Sequence, residues 1–169
     1  KRKGKDKDKE GAVMGKGTFG IVLKGMYHGT PCAAKLTRAK AGAMMQCANE
    51  LKILRHLRHP NIVLFHGACL DFPGTQVVLV LEHVVGKALR EYVRTRLKHL
   101  FLIGKEDETM HKARSAHEQE LMSVIMGVGR ALRFLHSLDP QVLHGDLKDT
   151  NILVEEMIPR PRAKLLDFG

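Results

Sequence analysis

The 169-residue sequence has no tryptophan, and aromatic residues make up only 5% of it. Proteins that bind single-stranded nucleic acid stack the bases on aromatic side chains, so this scarcity argues against that class. No run of roughly eighteen apolar residues is present, and the N-terminus lacks a hydrophobic signal region. Neither a membrane span nor a secretory signal is therefore predicted.

Cysteine is also scarce, with Cys32, Cys47 and Cys69 in the whole sequence. Their odd number and the lack of a C-x-x-C pair argue against a disulfide framework. Each lies in an apolar neighbourhood, which predicts buried thiols in a reducing compartment. Together with the missing signal, this predicts a cytoplasmic location, with the nucleus as the alternative.

Positive charge is abundant, because the formal net charge is +10. Such a balance suits nucleic acid, acidic membrane surfaces and phosphorylated ligands alike, so the sign alone does not choose a partner. Part of the excess lies in residues 1–11, where lysines alternate with acidic residues and predict a flexible basic arm. Nucleic-acid binding through this arm has no support beyond its charge.

The first part of the chain is rich in predicted strands. Residues 12–36 read as three short antiparallel strands separated by turns. Apolar residues then recur at steps of three and four over 40–57, which predicts an amphipathic helix. Two further strands are predicted at 62–65 and 76–82. We therefore expect a β-rich lobe with one helix over residues 12–85.

A second composition begins at Gly86. Helices are predicted over 88–99 and 118–138, because apolar residues again alternate at steps of three and four. The polar, charge-rich stretch 104–117 predicts an exposed connection between them. Residues 86–169 are thus expected to begin a helical lobe, and the whole chain is predicted to be α+β.

Glycines recur in the pattern Gly15-x-Gly17-x-x-Gly20 between two predicted strands. A residue without a Cβ atom lets backbone N–H groups come close to phosphate oxygens. A dinucleotide-binding fold would place a helix directly after the glycines, whereas Ile21–Leu23 read as strand. The pattern is typical of a flap over a nucleotide, although it also suits a plain hairpin turn.

Lys35 lies in an otherwise apolar strand, so its ammonium group needs an anionic partner. Glu50, beside the apolar stripe of the next helix, is the natural candidate. The alternative is that Lys35 and Glu50 are both solvated.

Polar side chains also surround two short apolar runs at the end of the sequence. If strand ends bring them together, two carboxylates, a lysine and a carboxamide form a metal-and-phosphate site. These residues are Asp146, Lys148, Asn151 and Asp167.

In this order, the motifs resemble the protein kinase family over residues 12–169. The family has a glycine loop, a lysine in an A-x-K strand, a helical glutamate nine residues before a His-Pro-Asn turn, H-x-D-L-K-x-x-N, and D-F-G. Lys148 resembles serine/threonine kinases in particular, and the turn 59–67 resembles their tyrosine-kinase-like branch. The resemblance implies a protein-kinase-like fold whose helical lobe is present only in its first part.

The resemblance also implies ATP and Mg²⁺ as cofactors and transfer of the γ-phosphate to serine or threonine of a protein substrate. Asp146 would orient the acceptor hydroxyl, Lys148 would neutralise the γ-phosphate, and Lys35, paired with Glu50, would contact the α- and β-phosphates. The implied metal ligands are Asn151 and Asp167. The implied nucleotide-binding residues are Gly15, Lys16, Gly17, Thr18, Phe19, Gly20, Val22, Ala33, Lys35, Leu81, Glu82, Val84 and Leu153.

Two features depart from the family pattern. Gly145 stands where many kinases have an arginine, so the chain resembles the non-RD kinases. The sequence also stops at Gly169, directly after D-F-G, and lacks the elements that follow this motif in the family. We therefore expect little activity from the chain alone, and the alternative function is a non-catalytic, pseudokinase-like nucleotide-binding or scaffold fragment.

Overall fold

A computed structural model describes residues 13–17, 20–37, 41–71, 76–102 and 108–168. The predicted basic arm and the predicted nucleotide-binding residues Thr18 and Phe19 lie outside these ranges. The chain divides into two compact units. The first comprises the residues up to Leu57 together with Leu64–His83, and the second comprises Arg58–Val63 together with the residues from Val84 onward.

The first unit is an antiparallel sheet with one helix, as predicted. Its strands occur in the order β1-β2-β3-β5-β4. Positive φ angles of 47° at His28 and 79° at Gly29 allow the tight turn that joins β2 to β3. The elements are β1 (Val13–Gly17), β2 (Gly20–Tyr27), β3 (Thr30–Thr37), α1 (Ala41–Leu54), β4 (Phe65–Asp71) and β5 (Gln76–Glu82).

The strand predicted at 62–65 is wrong, because β4 begins only at Phe65. Ile62 and Val63 are buried but belong to the second unit, where Ile62 forms one isolated bridge to Leu165. A short apolar run has the same pattern in a buried turn as in a buried strand. Periodicity alone therefore could not locate the start of this strand.

The second unit contains two long helices and a small sheet in the order β6-β7-β8. The predicted connection at 104–117 is wrong from Glu108 onward, because the last helix already begins there. Its first turns are polar because they are largely exposed, and not because they lack regular structure. The elements are β6 (Lys87–Ala88), α2 (Leu89–Leu102), α3 (Glu108–His136), a 3₁₀ helix (Asp149–Asn151), β7 (Ile152–Glu155) and β8 (Arg162–Leu165).

The buried face of α3 coincides only in part with the apolar repeat that predicted this helix, which is Leu121, Ile125, Val128, Leu132 and Leu135. Val124, Ala131 and Leu135 have no exposed surface, and α3 packs against β8. Leu121 and Ile125, which the periodicity placed in the core, are 37% and 53% exposed. Two apolar stripes lie side by side on α3, and their spacing cannot show which one faces the sheet.

Two further expectations concern the cysteines and the membrane. Cys32 and Cys47 are buried as predicted, but Cys69 is exposed because it lies on β4, an edge strand of the sheet. All three thiols are free. Among the helices that the structure describes, none combines the length and apolar character needed to cross a membrane.

Candidate active site

A buried ion pair joins the sheet of the first unit to its helix. The Nζ atom of Lys35, on β3, donates to both carboxylate oxygens of Glu50, on α1, at 2.8 Å each. The two side chains are only 11% and 7% exposed. The predicted pairing is thereby confirmed, and the alternative of two solvated side chains is wrong. Such a pair fixes the lysine head in one place on the sheet.

The structure explains why glycine occupies position 20 of the predicted flap, but not why it occupies position 15. A Cβ atom at Gly20 would lie 1.9 Å from the backbone oxygen of Leu36, so the close approach of β2 to β3 requires glycine there. A Cβ atom at Gly15 would meet nothing within 4 Å. No packing in the described part of the chain therefore explains Gly15. It remains a candidate for close approach by a ligand.

Several predicted nucleotide-binding side chains share one face of the sheet. Val22 pairs in register with Lys35, and Ala33 pairs with Leu81. Directly paired residues of adjacent strands point to the same face, as do residues two apart along one strand. The face that carries the Lys35 ammonium thus also presents an apolar surface suited to a flat ring.

The remaining predicted nucleotide contacts are distributed over both units. The N–H of Glu82 donates to the Leu64 oxygen at 2.8 Å, and the Glu82 carboxylate accepts from the Leu64 N–H at 3.0 Å. The Glu82 N–H is therefore already engaged within the first unit. Val84, which is 5% exposed, and Leu153, on β7, both lie in the second unit.

In the second unit, three predicted catalytic side chains are in direct contact. Oδ2 of Asp146 accepts a hydrogen bond from Lys148 Nζ at 2.5 Å and another from Asn151 Nδ2 at 2.9 Å. The hydrogen bond from Lys148 is the main cause that lowers the pKa of Asp146, and that from Asn151 acts in the same direction. Asp146 is therefore a carboxylate at neutral pH, and it remains accessible because its side chain is 43% exposed.

The amide orientation of Asn151 suits a metal ligand. Its Nδ2 atom donates to both Asp146 O and Asp146 Oδ2, at 2.9 Å each. Both acceptors lack a hydrogen to donate, so the amide nitrogen must face them and Oδ1 faces the other way. An amide oxygen is a ligand that Mg²⁺ accepts.

The β7–β8 hairpin brings the second predicted metal ligand to the same end. Ile152 pairs in register with Leu165, and the Leu166 N–H donates to the Asn151 oxygen at 2.9 Å. Asp167 follows directly, with a positive φ of 54° that aspartate tolerates better than most residues. Two oxygen donors are few for a protein-only cage, and no cluster of three or more His, Cys, Asp or Glu ligands occurs among the described residues. The pair instead suits Mg²⁺ that takes its other ligands from phosphate and water.

A buried histidine supports this segment from within. The rings of His144 and Phe168 lie 4.8 Å apart between centroids, and both side chains are buried. Neither ring nitrogen of His144 has a hydrogen-bond partner in the described structure. Burial lowers its pKa, although the nearby carboxylates of Asp146 and Asp167 oppose the shift. Gly145, between His144 and Asp146, has a φ of 77°, which few residues other than glycine adopt.

Two structural contacts were missed from the sequence. Asn61 donates from Nδ2 to the Ala163 oxygen at 2.8 Å, and its backbone oxygen accepts from the Leu165 N–H at 2.9 Å. It thereby anchors the strand that leads to Asp167. Arg90 of α2 forms two hydrogen bonds to Asp149, the residue after Lys148. The Asn61 motif was visible in the sequence, but nothing in the sequence linked Arg90 to a residue 59 positions away.

Comparisons with known proteins point to a single family. The family model described as protein kinase domain matches residues 9–169. A probable receptor-like protein kinase of Arabidopsis thaliana is 30% identical over 160 residues, which are 93% of this chain and 29% of that protein. The serine/threonine-protein kinase CTR1 of the same plant is 29% identical over 162 residues, or 92% of this chain and 17% of that protein.

A solved structure shows the same fold. The crystal structure of Rad53 residues 1–466 in complex with AMP-PNP matches with a TM-score of 0.70 and 28% identity. The match covers 93% of this chain and 37% of that chain. This chain therefore spans well under half of the length of each of these three proteins.

Proposed function

Since this chain belongs to the protein kinase family, we propose that it contributes the nucleotide-binding and catalytic residues of an enzyme that transfers the γ-phosphate of ATP to serine or threonine of a protein, with Mg²⁺ as cofactor. The observation that carries this proposal is the contact of Asp146 with Lys148 and Asn151. The contacts with Lys148 and Asn151 hold the Asp146 carboxylate in place, but they do not require it to be accessible. Its accessibility is what a group that contacts a substrate needs.

In the proposed reaction, ionised Asp146 accepts a hydrogen bond from the acceptor hydroxyl and orients its oxygen toward the phosphorus. Lys148, within hydrogen-bond reach of Asp146, offsets the negative charge that builds up on the transferred phosphoryl group. Mg²⁺ held by Asn151 and Asp167 would neutralise phosphate charge.

Lys35 would bind the α- and β-phosphates of the nucleotide. Because Glu50 accepts hydrogen bonds from its ammonium group on both oxygens, the head is held in place before the nucleotide binds. Catalysis of phosphoryl transfer depends mostly on such positioning and on charge neutralisation. The resemblance of the site to serine/threonine kinases supports a hydroxyl acceptor on serine or threonine.

The experiment uses a protein in which this chain is continued by the elements that follow D-F-G in the family. It measures transfer of labelled phosphate from γ-labelled ATP to a mixed serine- and threonine-containing peptide pool, with and without Mg²⁺. Asp146→Asn and Lys35→Met should abolish transfer, whereas Lys52→Met should not. Lys52 is the control because it is an exposed lysine on α1 and not on the sheet face that carries Lys35. Transfer that is equal in all four proteins would refute the proposal.

A second candidate is a binding fragment without catalysis. The observation that favours it is the group of exposed apolar residues on α3, since contiguous exposed apolar surface marks interaction sites. They are Leu121, Met122, Ile125 and Met126. ATP-dependent thermal stabilisation that Lys35→Met removes, together with no transfer to any peptide, would favour this candidate. A protein that neither binds ATP nor transfers phosphate would contradict both candidate functions.

A further inference from the structure

A cavity of about 490 Å³ lies in the second unit along α2, outside the set of residues assigned to nucleotide and metal. One side is lined by an apolar stripe of Leu89, Val93 and Leu97, which repeat every four residues. Leu97 is 50% exposed. Residues four apart lie on the same face of a helix, so the stripe is a continuous strip along α2.

A basic stripe runs beside the apolar one. Arg90, Arg94 and Lys98 also line the cavity and repeat at the same interval, one residue further along the helix. All three are exposed. Long basic side chains bury their methylene stems along apolar surface and keep their charged heads in water. The groove therefore offers aliphatic walls with a row of positive charge along one edge.

One acidic residue lies at one end of this groove. Asp149 pairs with Arg90 through two hydrogen bonds of 2.7 and 3.3 Å and so neutralises the first basic residue. Arg94 and Lys98 have no acidic partner among the described residues, and the groove therefore carries an excess of two positive charges. Charge complementarity selects an acidic ligand with apolar side chains.

Asp149 also fixes the position of the groove relative to the catalytic aspartate. It follows Asp146 by three residues, so their Cα atoms are at most about 11 Å apart. An extended peptide advances about 3.3 Å per residue and covers this distance in three to four residues. A substrate chain that leaves the acceptor residue toward Asp149 would reach the start of the groove within three to four residues.

We infer that the groove along α2 binds a segment of the protein substrate in which acidic and apolar residues alternate, beginning about four residues from the phosphorylated serine or threonine. This inference rests on the proposed function. Arg94 and Lys98 lie about 6 and 12 Å along the helix from Arg90, or two and four extended residues. If the chain reaches Arg90 about three residues from the acceptor, at the short end of this estimate, the acidic residues lie about five and seven positions from the acceptor. Successive side chains of an extended segment point to opposite sides, so its apolar side chains can contact the apolar stripe and its acidic side chains the basic stripe.

The experiment measures binding directly by fluorescence polarisation with the 169-residue chain. The probe is a labelled peptide of one serine, three glycines and then alternating leucine and glutamate over five residues. Two comparison peptides carry lysine in place of glutamate and glycine in place of leucine. The reversed peptide tests the opposite chain direction.

The acidic peptide should bind in at least one direction, and each comparison peptide should bind several-fold more weakly. The double variant Arg94→Glu with Lys98→Glu should bind the acidic peptide about tenfold more weakly and should prefer the lysine peptide. Arg114→Glu with Arg133→Glu, at exposed positions of α3, is the matched double charge reversal and should leave binding unchanged. High salt should weaken the acidic complex.

Equal binding of the acidic and lysine peptides, or no binding of either acidic peptide at millimolar concentration, would overturn the inference. An unchanged affinity in the double variant would do the same. Because polarisation does not require phosphate transfer, binding of the acidic peptide together with no transfer by the protein that also carries the elements after D-F-G would refute only the proposed function. Phosphate transfer without discrimination among these peptides would refute only the inferred role of the groove in substrate binding.

Discussion

Removal of one partner from the Lys35–Glu50 pair should destabilise the chain far more than removal of both. At 2.8 Å and an effective dielectric constant of about 20, the two charges attract each other by about 6 kcal/mol. Their burial costs a similar amount, so the pair itself adds little net stability. Glu50→Leu or Lys35→Met removes the attraction but leaves one charge buried. We therefore expect each single variant to lose roughly 3–5 kcal/mol of unfolding free energy.

The double variant Lys35→Met with Glu50→Leu should recover most of this loss, because it leaves neither charge of the pair buried. Urea unfolding monitored by far-ultraviolet circular dichroism measures all four corners of the cycle, since the chain has no tryptophan to report by fluorescence. With an m-value near 2 kcal/mol per M, each single variant should shift the midpoint by about 1.5–2.5 M. Lys52→Met, at an exposed position of α1, serves as the control. Additive single losses, within about 0.5 kcal/mol, would refute the reasoning.

Two further predictions concern glycine and pH. Gly20→Ala should destabilise the chain by about 1–3 kcal/mol, because the added Cβ atom meets the Leu36 oxygen. Gly15→Ala should leave the stability in urea unchanged, because its Cβ atom meets nothing. Equal losses in the two variants would contradict the different roles given to these glycines. Burial lowers the pKa of His144 below its ordinary value of 6.5. The stability that the neutral imidazole contributes is therefore present at a pH above 6.5 and is lost as the pH falls below 6.5 toward the lowered pKa. Urea unfolding at pH 6.5 and 5.5 should show a loss of up to about 1 kcal/mol that His144→Phe removes. An identical loss in both proteins would argue against a neutral buried His144.

The sequence predicted the parts of the fold where local chemistry and periodicity agree. The glycine pattern, the isolated lysine on β3 and the glutamate on α1 each carry a local signal, and the Lys35–Glu50 contact follows from the cost of burying an unpaired charge. The predicted kinase-like α+β fold is likewise confirmed by the match to the Rad53 structure.

Other features depend on contacts between distant segments, which periodicity does not encode. The first turns of α3 are polar and helical at once, and its two apolar stripes compete for the same sheet. The Arg90–Asp149 pair joins residues with no shared motif. The roles of Asp146, Asn151 and Asp167 remain predictions, because they concern ligands and not the fold.

The β7–β8 hairpin makes the distance between the two proposed metal ligands independent of the chain that separates them. Asn151 and Asp167 are sixteen residues apart in sequence, but the pairing of Ile152 with Leu165 sets their spacing. Fully buried Val154 and Leu165 hold this register, since a slip by one residue would turn them to the opposite face. The exposed turn at 156–160 can therefore change in length through evolution or engineering without moving the metal site, whereas a single deletion within β8 would misplace it.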